Sequence, residues 1–491
     1  MSDPDAVPVS DLPSPGAALA TLEARVRRDL SLIDYPSRAW TRPVSRGDES
    51  VLDVAIIGAG QGGLATAFAL SRLKIDNVRV FDRAPQGGEG PWTTFARMLT
   101  LRTPKHVTGP DGGVPSLTPR SWYEARYGAE AWAALDKISR QDWQAYLDWF
   151  RQVLALPVQN DRTLTGIEPD NGLLKLGFSD TDGRRSSCLA RKVVLATGID
   201  GGGQWYVPPS IRAAIPRERY RHTSQAQSLD FATLRGKRVG VLGAGASAFD
   251  NAATALEAGA ASVALCVRRG DIPRVNPYRW MENTGFLGHF ASLPDLQKWR
   301  FMTRIYDLNQ PPPQETFWRC RRFEQFSVHT GCPWHDTRMV GDDIVVRTPK
   351  GDMVFDFLIV GTGFATDLAL RPETAALAGR VALWRDRFSP PVGEEHVLLG
   401  AHPYLGEGFE FLPREPGNEH ESYLRDIHNF TFSAMPSMGL SGASISGMRF
   451  GVDRLARTIA RDLFVRDGDW HLRSLLDYSS VELFSLDRPP V

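Results

Sequence analysis

The chain has 491 residues, enough for two substantial cores, and 42% of them are hydrophobic, an ordinary share for a folded protein. Lys plus Arg and Asp plus Glu each number 57, so the formal charge is zero and the basic excess of a nucleic-acid or polybasic membrane binder is missing. The four cysteines, Cys188, Cys266, Cys320 and Cys332, stand too far apart for a CxxC pair, which argues against a disulfide scaffold, a zinc site or a dithiol redox centre.

Residues 1–50 read as a polar, proline-containing extension with one amphipathic helix around Ala17 to Leu32. The first 20 residues lack an apolar run, and nowhere are there 18 consecutive apolar residues. Neither a secretory signal nor a membrane span is expected, and the reading is of a cytoplasmic protein.

The apolar run Val51 to Ile57 is a strand candidate that ends in Gly58-Ala-Gly60-Gln-Gly-Gly63, with a helical stretch from Leu64 to Leu73. This places GxGxxG in a strand–turn–helix setting. Gly58 allows the tight turn, Gly60 lets a diphosphate touch the backbone, and Gly63 lets helix and strand pack closely. The helix start supplies N–H groups and a positive dipole end. A second strand, Val78 to Phe81, runs into Asp82, placed for hydrogen bonds from an adenosine ribose. The first site reads as one for FAD. Gly87 to Trp92 follows as a flexible turn.

Ser139 and Asp142 form a capping-box variant, after which Trp143, Tyr146, Leu147, Phe150 and Leu154 fall on one helical face. The strand Arg191 to Ala196 closes in Thr197-Gly198. The strand Lys237 to Leu242 then enters Gly243-Ala-Gly245-Ala-Ser247-Ala248, a second complete unit. Its next strand, Ser262 to Val267, ends in Arg268-Arg269, where the first unit has Asp82. An arginine there pairs with a 2′-phosphate that an aspartate would repel, so this site reads as one for NADPH. Residues 271–335 are rich in aromatics, Pro and Arg and show no clear period.

A further strand, Asp356 to Val360, closes in Gly-Thr-Gly363. Taken together, the pattern predicts an α/β protein of two Rossmann-like dinucleotide-binding domains, the NADPH domain inserted into the FAD domain. The expected divisions are 1–50 as extension, 51–205 as the first part of the FAD domain, 206–350 as the NADPH domain, and 351–491 as the second part with a C-terminal helix. The glycine–serine loop Gly439 to Gly447 precedes that helix, whose Val452, Leu455, Ala456, Ile459 and Leu463 share a face. Such a loop suits the negative edge of a reduced flavin.

These motifs resemble the class B flavoprotein monooxygenases over roughly residues 51 to 465. The carriers are GAGQGG at 58–63, His222-Thr223 ahead of Leu234-x-Gly236-Lys237, GAGASAFD at 243–250 and DFLIVGTGF at 356–364. The linker fingerprint of the Baeyer–Villiger members is degenerate: Pro216 and Glu218 replace its Phe and Gly, and only His222 remains. Met98 to Pro104 and Ser139 to Phe150 are similar to stretches of the amine N-hydroxylases, whose substrate asparagine has only Asn276 as a loose counterpart.

The resemblance implies that NADPH reduces the flavin and that a C4a-(hydro)peroxyflavin then oxygenates a small molecule with dioxygen, at nitrogen in the first instance. Sulfur oxygenation, Baeyer–Villiger chemistry, or flavin reduction without oxygen insertion are the alternatives. It also implies that His222 couples the domains or positions the nicotinamide, and that Trp92 lies against the flavin ring. No hydrolytic triad, HExxH or other metal-binding pattern is visible. His106, His402 and His428 are candidates for a pocket lining, with structural roles as the alternative. A homo-oligomer is left open.

Overall fold

The computed structural model describes residues 15–33, 39–107 and 109–486. Helix α1 (Pro15–Leu32) covers the predicted amphipathic stretch and buries Leu22 and Val26. The first nucleotide unit follows as β1 (Leu52–Ile57), α2 (Gln61–Arg72) and β2 (Val78–Phe81). Helix α3 (Arg140–Val153) then leads to β3 (Val158–Gln159), β4 (Thr163–Asp170), β5 (Leu173–Ser179) and the long β6 (Arg185–Leu195).

The first sheet runs β3-β2-β1-β6-β5-β4. Its four nucleotide-side strands are parallel, and β4, β5 and the start of β6 form an antiparallel meander. β1 is buried almost throughout, which is why its sequence is a continuous apolar run rather than an alternating one.

A short strand β7 (Gly203–Trp205) leaves this body, and β8 (Tyr220–His222) starts the next. The second unit is β9 (Arg238–Leu242), α4 (Ala246–Glu257) and β10 (Ser262–Cys266). The segment without a readable period contains α5 (Asp295–Leu308) and α6 (Gln314–Arg321), then β11 (Phe326–His329). A meander of β12 (Asp336–Val340), β13 (Asp343–Thr348) and β14 (Gly351–Phe355) leads into β15 (Phe357–Val360).

The second sheet is parallel, with order β8-β15-β9-β10-β11. Stripped of β8, it repeats the first sheet's order: third strand, second, first, then the strand that follows a meander.

This topology corrects the expected division at residue 350. β15 hydrogen-bonds between β8 and β9, in register Gly240 to Leu358 and Arg221 to Ile359. Its buried run Phe357 to Val360 completes the second core, so the chain leaves the second sheet only after Val360. The crossing back is β16 (Phe364–Thr366), which pairs antiparallel with β7. The first sheet regains a strand much later, when β17 (Ile427–Asn429) lies parallel to β6.

The C-terminal helix α7 (Ile445–Arg466) packs against α2, burying the predicted face of Val452, Leu455, Ala456, Ile459 and Leu463. A last helix, α8 (Gly468–Leu476), follows. Buried cations on β6 hold this end in place. Arg191 pairs with Asp53 at 3.1 Å and Asp467 at 2.6 Å, and Lys192 with Asp426 at 2.9 Å and Asp462 at 2.8 Å. No described helix is long and apolar enough to cross a membrane.

Candidate functional site

At the first turn Gly58 has φ +106°, and a side chain on it would strike the Ala196 carbonyl in the turn after β6. That turn carries Thr197, so the Ala-Thr-Gly close of β6 lies directly beside the first glycine loop. Gly63 packs against the Gly58 carbonyl so tightly that no Cβ fits. Gly60 differs: nothing lies within 4 Å of a Cβ built there, and it is the N-cap of α2. Open space over an uncapped helix start is the cradle a diphosphate requires.

Asp82 is buried beside this turn. Its Oδ2 accepts from the Ala59 N–H at 2.7 Å and its Oδ1 from Ala84 N–H at 2.8 Å. Burial raises its pKa above the usual carboxylate value, and the two backbone donors oppose that shift. The carboxylate therefore braces the loop, while each oxygen keeps lone-pair capacity for a ribose hydroxyl.

The second turn repeats the design. Gly243 has φ +128° and abuts the Gly361 carbonyl, as Gly58 abuts Ala196. Gly363 therefore flanks the second turn. Ala248 replaces the third glycine because its opposite number, Gly361, has no side chain: a Cβ there would lie 2.7 Å from Ala248 Cβ. Gly245 caps α4, and a Cβ on it would have nothing within 4 Å; Ser247 is exposed on the first turn of the helix. Arg268 and Arg269 are exposed at the end of β10. Arg269 donates to the Asp307 carbonyl at 2.7 Å, at the end of α5, whereas no comparable bond engages Arg268 among the described residues. Both turns have the shape and polarity for a dinucleotide.

An aromatic cluster fills the space between the two units. The Trp205 ring on β7 lies 5.3 Å from His222, 5.6 Å from Phe95 and 6.0 Å from Phe364. His222 ends β8, buried, with Nδ1 accepting from the Ser224 N–H at 3.1 Å. Burial pulls its pKa down to about 4, against the opposing pull of the Gly363 backbone, so the ring is neutral at physiological pH. Among the described residues Nε2 has no hydrogen-bond partner. A cleft of about 690 Å³ opens beside Trp205, lined also by Tyr206, Arg212, Arg217 and Tyr220.

Trp92 is half-buried, its ring 6.4 Å from that of Trp143 on α3, and its carbonyl accepts from Arg140. Trp143 Nε1 in turn donates to Gln61 Oε1 at 3.2 Å, at the start of α2. The turn before Trp92 is pinned rather than loose. Buried Glu89 accepts from Gly87 N–H at 2.7 Å, Arg151 at 2.9 Å and Asn160 at 2.6 Å. The Gly439 to Gly447 loop reaches the first glycine turn: a Cβ on Gly62 would lie 2.8 Å from the Gly442 carbonyl.

The three other candidate histidines are placed differently, His402 reaching the crossing strand β16 at Thr366, 3.4 Å away. His402 and His428 are buried, with Nδ1 against the Leu398 and Gly408 carbonyls at 2.8 Å and 2.7 Å, and His106 is exposed. Asn276 is occupied as an N-cap, accepting from Tyr278 N–H at 3.1 Å. Among the described residues no cluster of ligands fits a metal ion. Gln61, Trp143, Phe95 and Trp205 belong to the site, although no sequence pattern marks them for it. The first occupies a variable position of its motif, Trp143 reads as an ordinary core residue, and the last two, far apart in the chain, meet through tertiary packing.

Comparison with known proteins agrees with this geometry. Residues 55–200 match the FAD-NAD(P)-binding family model, and residues 132–298 match L-lysine 6-monooxygenase/L-ornithine 5-monooxygenase. The FAD-dependent urate hydroxylase of Xanthomonas campestris is 47% identical over 467 residues, 95% of this chain and 97% of its own length. Among solved structures, the reduced ornithine hydroxylase of Pseudomonas aeruginosa superposes with a TM-score of 0.65 at 15% identity, covering 84% of this chain and 100% of that one. The ornithine N-hydroxylase of Kutzneria sp. 744, with reduced FAD, NADP+ and L-ornithine, gives 0.65 at 17%, covering 84% and 99%. At such identities these two likenesses speak to the fold; the family follows from the near-full-length relative. The chain belongs, with this FAD-dependent hydroxylase, to the flavin-dependent monooxygenases.

Proposed function

We propose that this enzyme binds FAD at the first turn and NADPH at the second, and uses dioxygen to hydroxylate urate. The observation that carries the substrate is the 47% identity to a urate hydroxylase over nearly the whole of both chains, against 14–18% for the amine hydroxylase structures. In this reading the NADPH domain is inserted between two parts of the FAD domain, with its exit after Val360.

Gly58, Gly60 and Gly63 with the start of α2 hold the FAD diphosphate, Asp82 takes its ribose, and the Thr197 turn closes beside it. Gly243, Gly245 and Ser247 hold the NADPH diphosphate beside the Gly363 turn, and Arg268 and Arg269 face its 2′-phosphate. Bound FAD, reduced by NADPH, supplies the activation of dioxygen. The chain's part is positioning and desolvation. Trp92, Phe95 and Trp205 exclude water from the junction, and His222, neutral at physiological pH, presents Nε2 as a hydrogen-bonding group.

A second reading, N-hydroxylation of a small amine, draws on the lysine/ornithine family match over 132–298 and on the Ser139 to Phe150 stretch. A substrate panel separates them. Urate, L-ornithine, L-lysine and cadaverine are each supplied with NADPH in air, and substrate loss is followed by chromatography. Loss of urate alone is the expected result. Loss of an amine with urate untouched supports the second reading, and NADPH consumption yielding only hydrogen peroxide with every compound refutes both.

A further inference from the structure

The segment Trp92 to Arg102 carries three arginines if Arg140, which is bonded to it, is counted. Arg102 has an acid, with Asp250 at 3.7 Å. Arg97 and Arg140 do not: both are half-buried, and among the described residues no carboxylate pairs with either. Both guanidinium groups are fixed on the same short stretch of backbone. Arg97 Nη1 donates to the Thr94 and Ala96 carbonyls at 2.8 Å and 3.0 Å, and Arg140 Nη1 donates to the Trp92 carbonyl. The Arg140 N–H also reaches the Leu99 carbonyl at 3.2 Å.

The stretch lies between the two units. On one side Trp92 meets Trp143, which bonds Gln61 at the first turn. On the other, Phe95 packs on Trp205 beside His222, and Arg97 sits 5.7 Å over the Phe231 ring ahead of β9. Two desolvated cations without a counter-ion destabilise one another as well as losing hydration, so a ligand anion between them restores the balance. Each guanidinium has five N–H donors, and these backbone bonds leave several free for a planar acceptor edge.

We propose that Arg97 and Arg140 are the substrate's anion-binding pair. This rests on the urate reading: urate is a planar monoanion near neutral pH, with adjacent carbonyl and ring-nitrogen acceptors that suit a guanidinium fork. Nucleotide phosphates are the competing anion, but both glycine turns supply their own helix N-termini for those.

The test uses the FAD-loaded enzyme with Arg97→Gln, Arg140→Gln and Arg97→Lys, and measures KM for urate, KM for NADPH and FAD content. Loss of one charge-assisted contact raises KM for urate about tenfold to hundredfold, with FAD content and KM for NADPH within about twofold. Arg97→Lys keeps the charge and lies between wild type and Arg97→Gln. A rise in KM for NADPH with KM for urate unchanged assigns the pair to a nucleotide phosphate and overturns the proposal. Unchanged constants in both glutamine variants overturn it too, leaving the urate reading intact. Wild type that never consumes urate removes that reading and this one with it.

Discussion

Gly60 and Gly63 sit three residues apart and tolerate substitution in opposite ways. A side chain at 60 enters open space above the α2 start, whereas one at 63 meets the Gly58 carbonyl. Gly60→Val is expected to fold with near-normal thermal stability and to lose FAD, read from flavin absorbance and a melting curve. Gly63→Ala is expected to lose stability before it loses affinity. The two arginines after β10 also separate. Arg269 is engaged with the Asp307 carbonyl and Arg268 is not. Arg268→Ala is therefore expected to cut the preference for NADPH over NADH by about tenfold or more, Arg269→Ala by less, measured as the ratio of kcat/KM values. Equal use of the two coenzymes by wild type would remove the 2′-phosphate assignment. At this scale the glycine turns were readable because Gly58 and Gly243 take positive φ and Gly63 has no room for a Cβ. Gln61 stands in the motif at a position its spacing leaves open, and Trp205, a lone tryptophan, becomes a neighbour of the site only through tertiary packing.

The element whose place the sequence misled on is β15. Its ending in Gly-Thr-Gly matches the close of β6, so it is recognisable as a nucleotide-side strand, but strand partners are not written in a local run. Its register against β9 decides the matter, helped by Phe355, which lies over Gly240: a Cβ on Gly240 would fall 2.8 Å from the Phe355 ring. Gly240→Val forces that ring away at a cost of about 1–3 kcal/mol. The expected outcome is a lower melting temperature and weaker NADPH binding with FAD content retained, checked by nucleotide titration alongside flavin absorbance. Loss of FAD with normal NADPH binding would contradict the assignment of β15 to the second sheet's unit. The α3 helix was legible in its cap, Ser139 accepting from Asp142 N–H at 2.9 Å, and in its buried Trp143, Tyr146, Leu147 and Phe150, because capping and a 3.6-residue period are local properties; Leu154 lies past its end. The helices between 271 and 335 were not: α5, as long as α3, buries only Trp299, Met302 and Ile305, too few positions for a clear period.

For the molecule as a whole, His222, His402 and His428 share one consequence of burial, a pKa pulled down to about 4. Between about pH 6.5 and pH 4 the unfolded chain binds protons at these rings and the native state does not, so stability falls as pH drops through that window, by about 1.4 kcal/mol per pH unit for each ring. Buried Asp82 and Asp250, whose pKa values are raised, act in the opposite sense toward its lower end. Urea midpoints at pH 7 and pH 5.5 are expected to differ less in His402→Gln than in wild type; an unchanged difference would show that His402 protonates freely when folded. In the proposed reading, two glycine turns, a crossing strand pair and a neutral histidine at the joint serve an enzyme that couples coenzyme oxidation to oxygen insertion. The most direct measurement is a reaction with urate, NADPH and isotopically heavy dioxygen, followed to completion for all three reactants, hydrogen peroxide and labelled product. The expected outcome is one NADPH and one dioxygen consumed per urate, one heavy oxygen atom in the product, and little peroxide, with His222→Ala shifting the balance to peroxide while retaining FAD. Product that carries no heavy oxygen, or NADPH oxidation that returns peroxide alone in wild type, would contradict it.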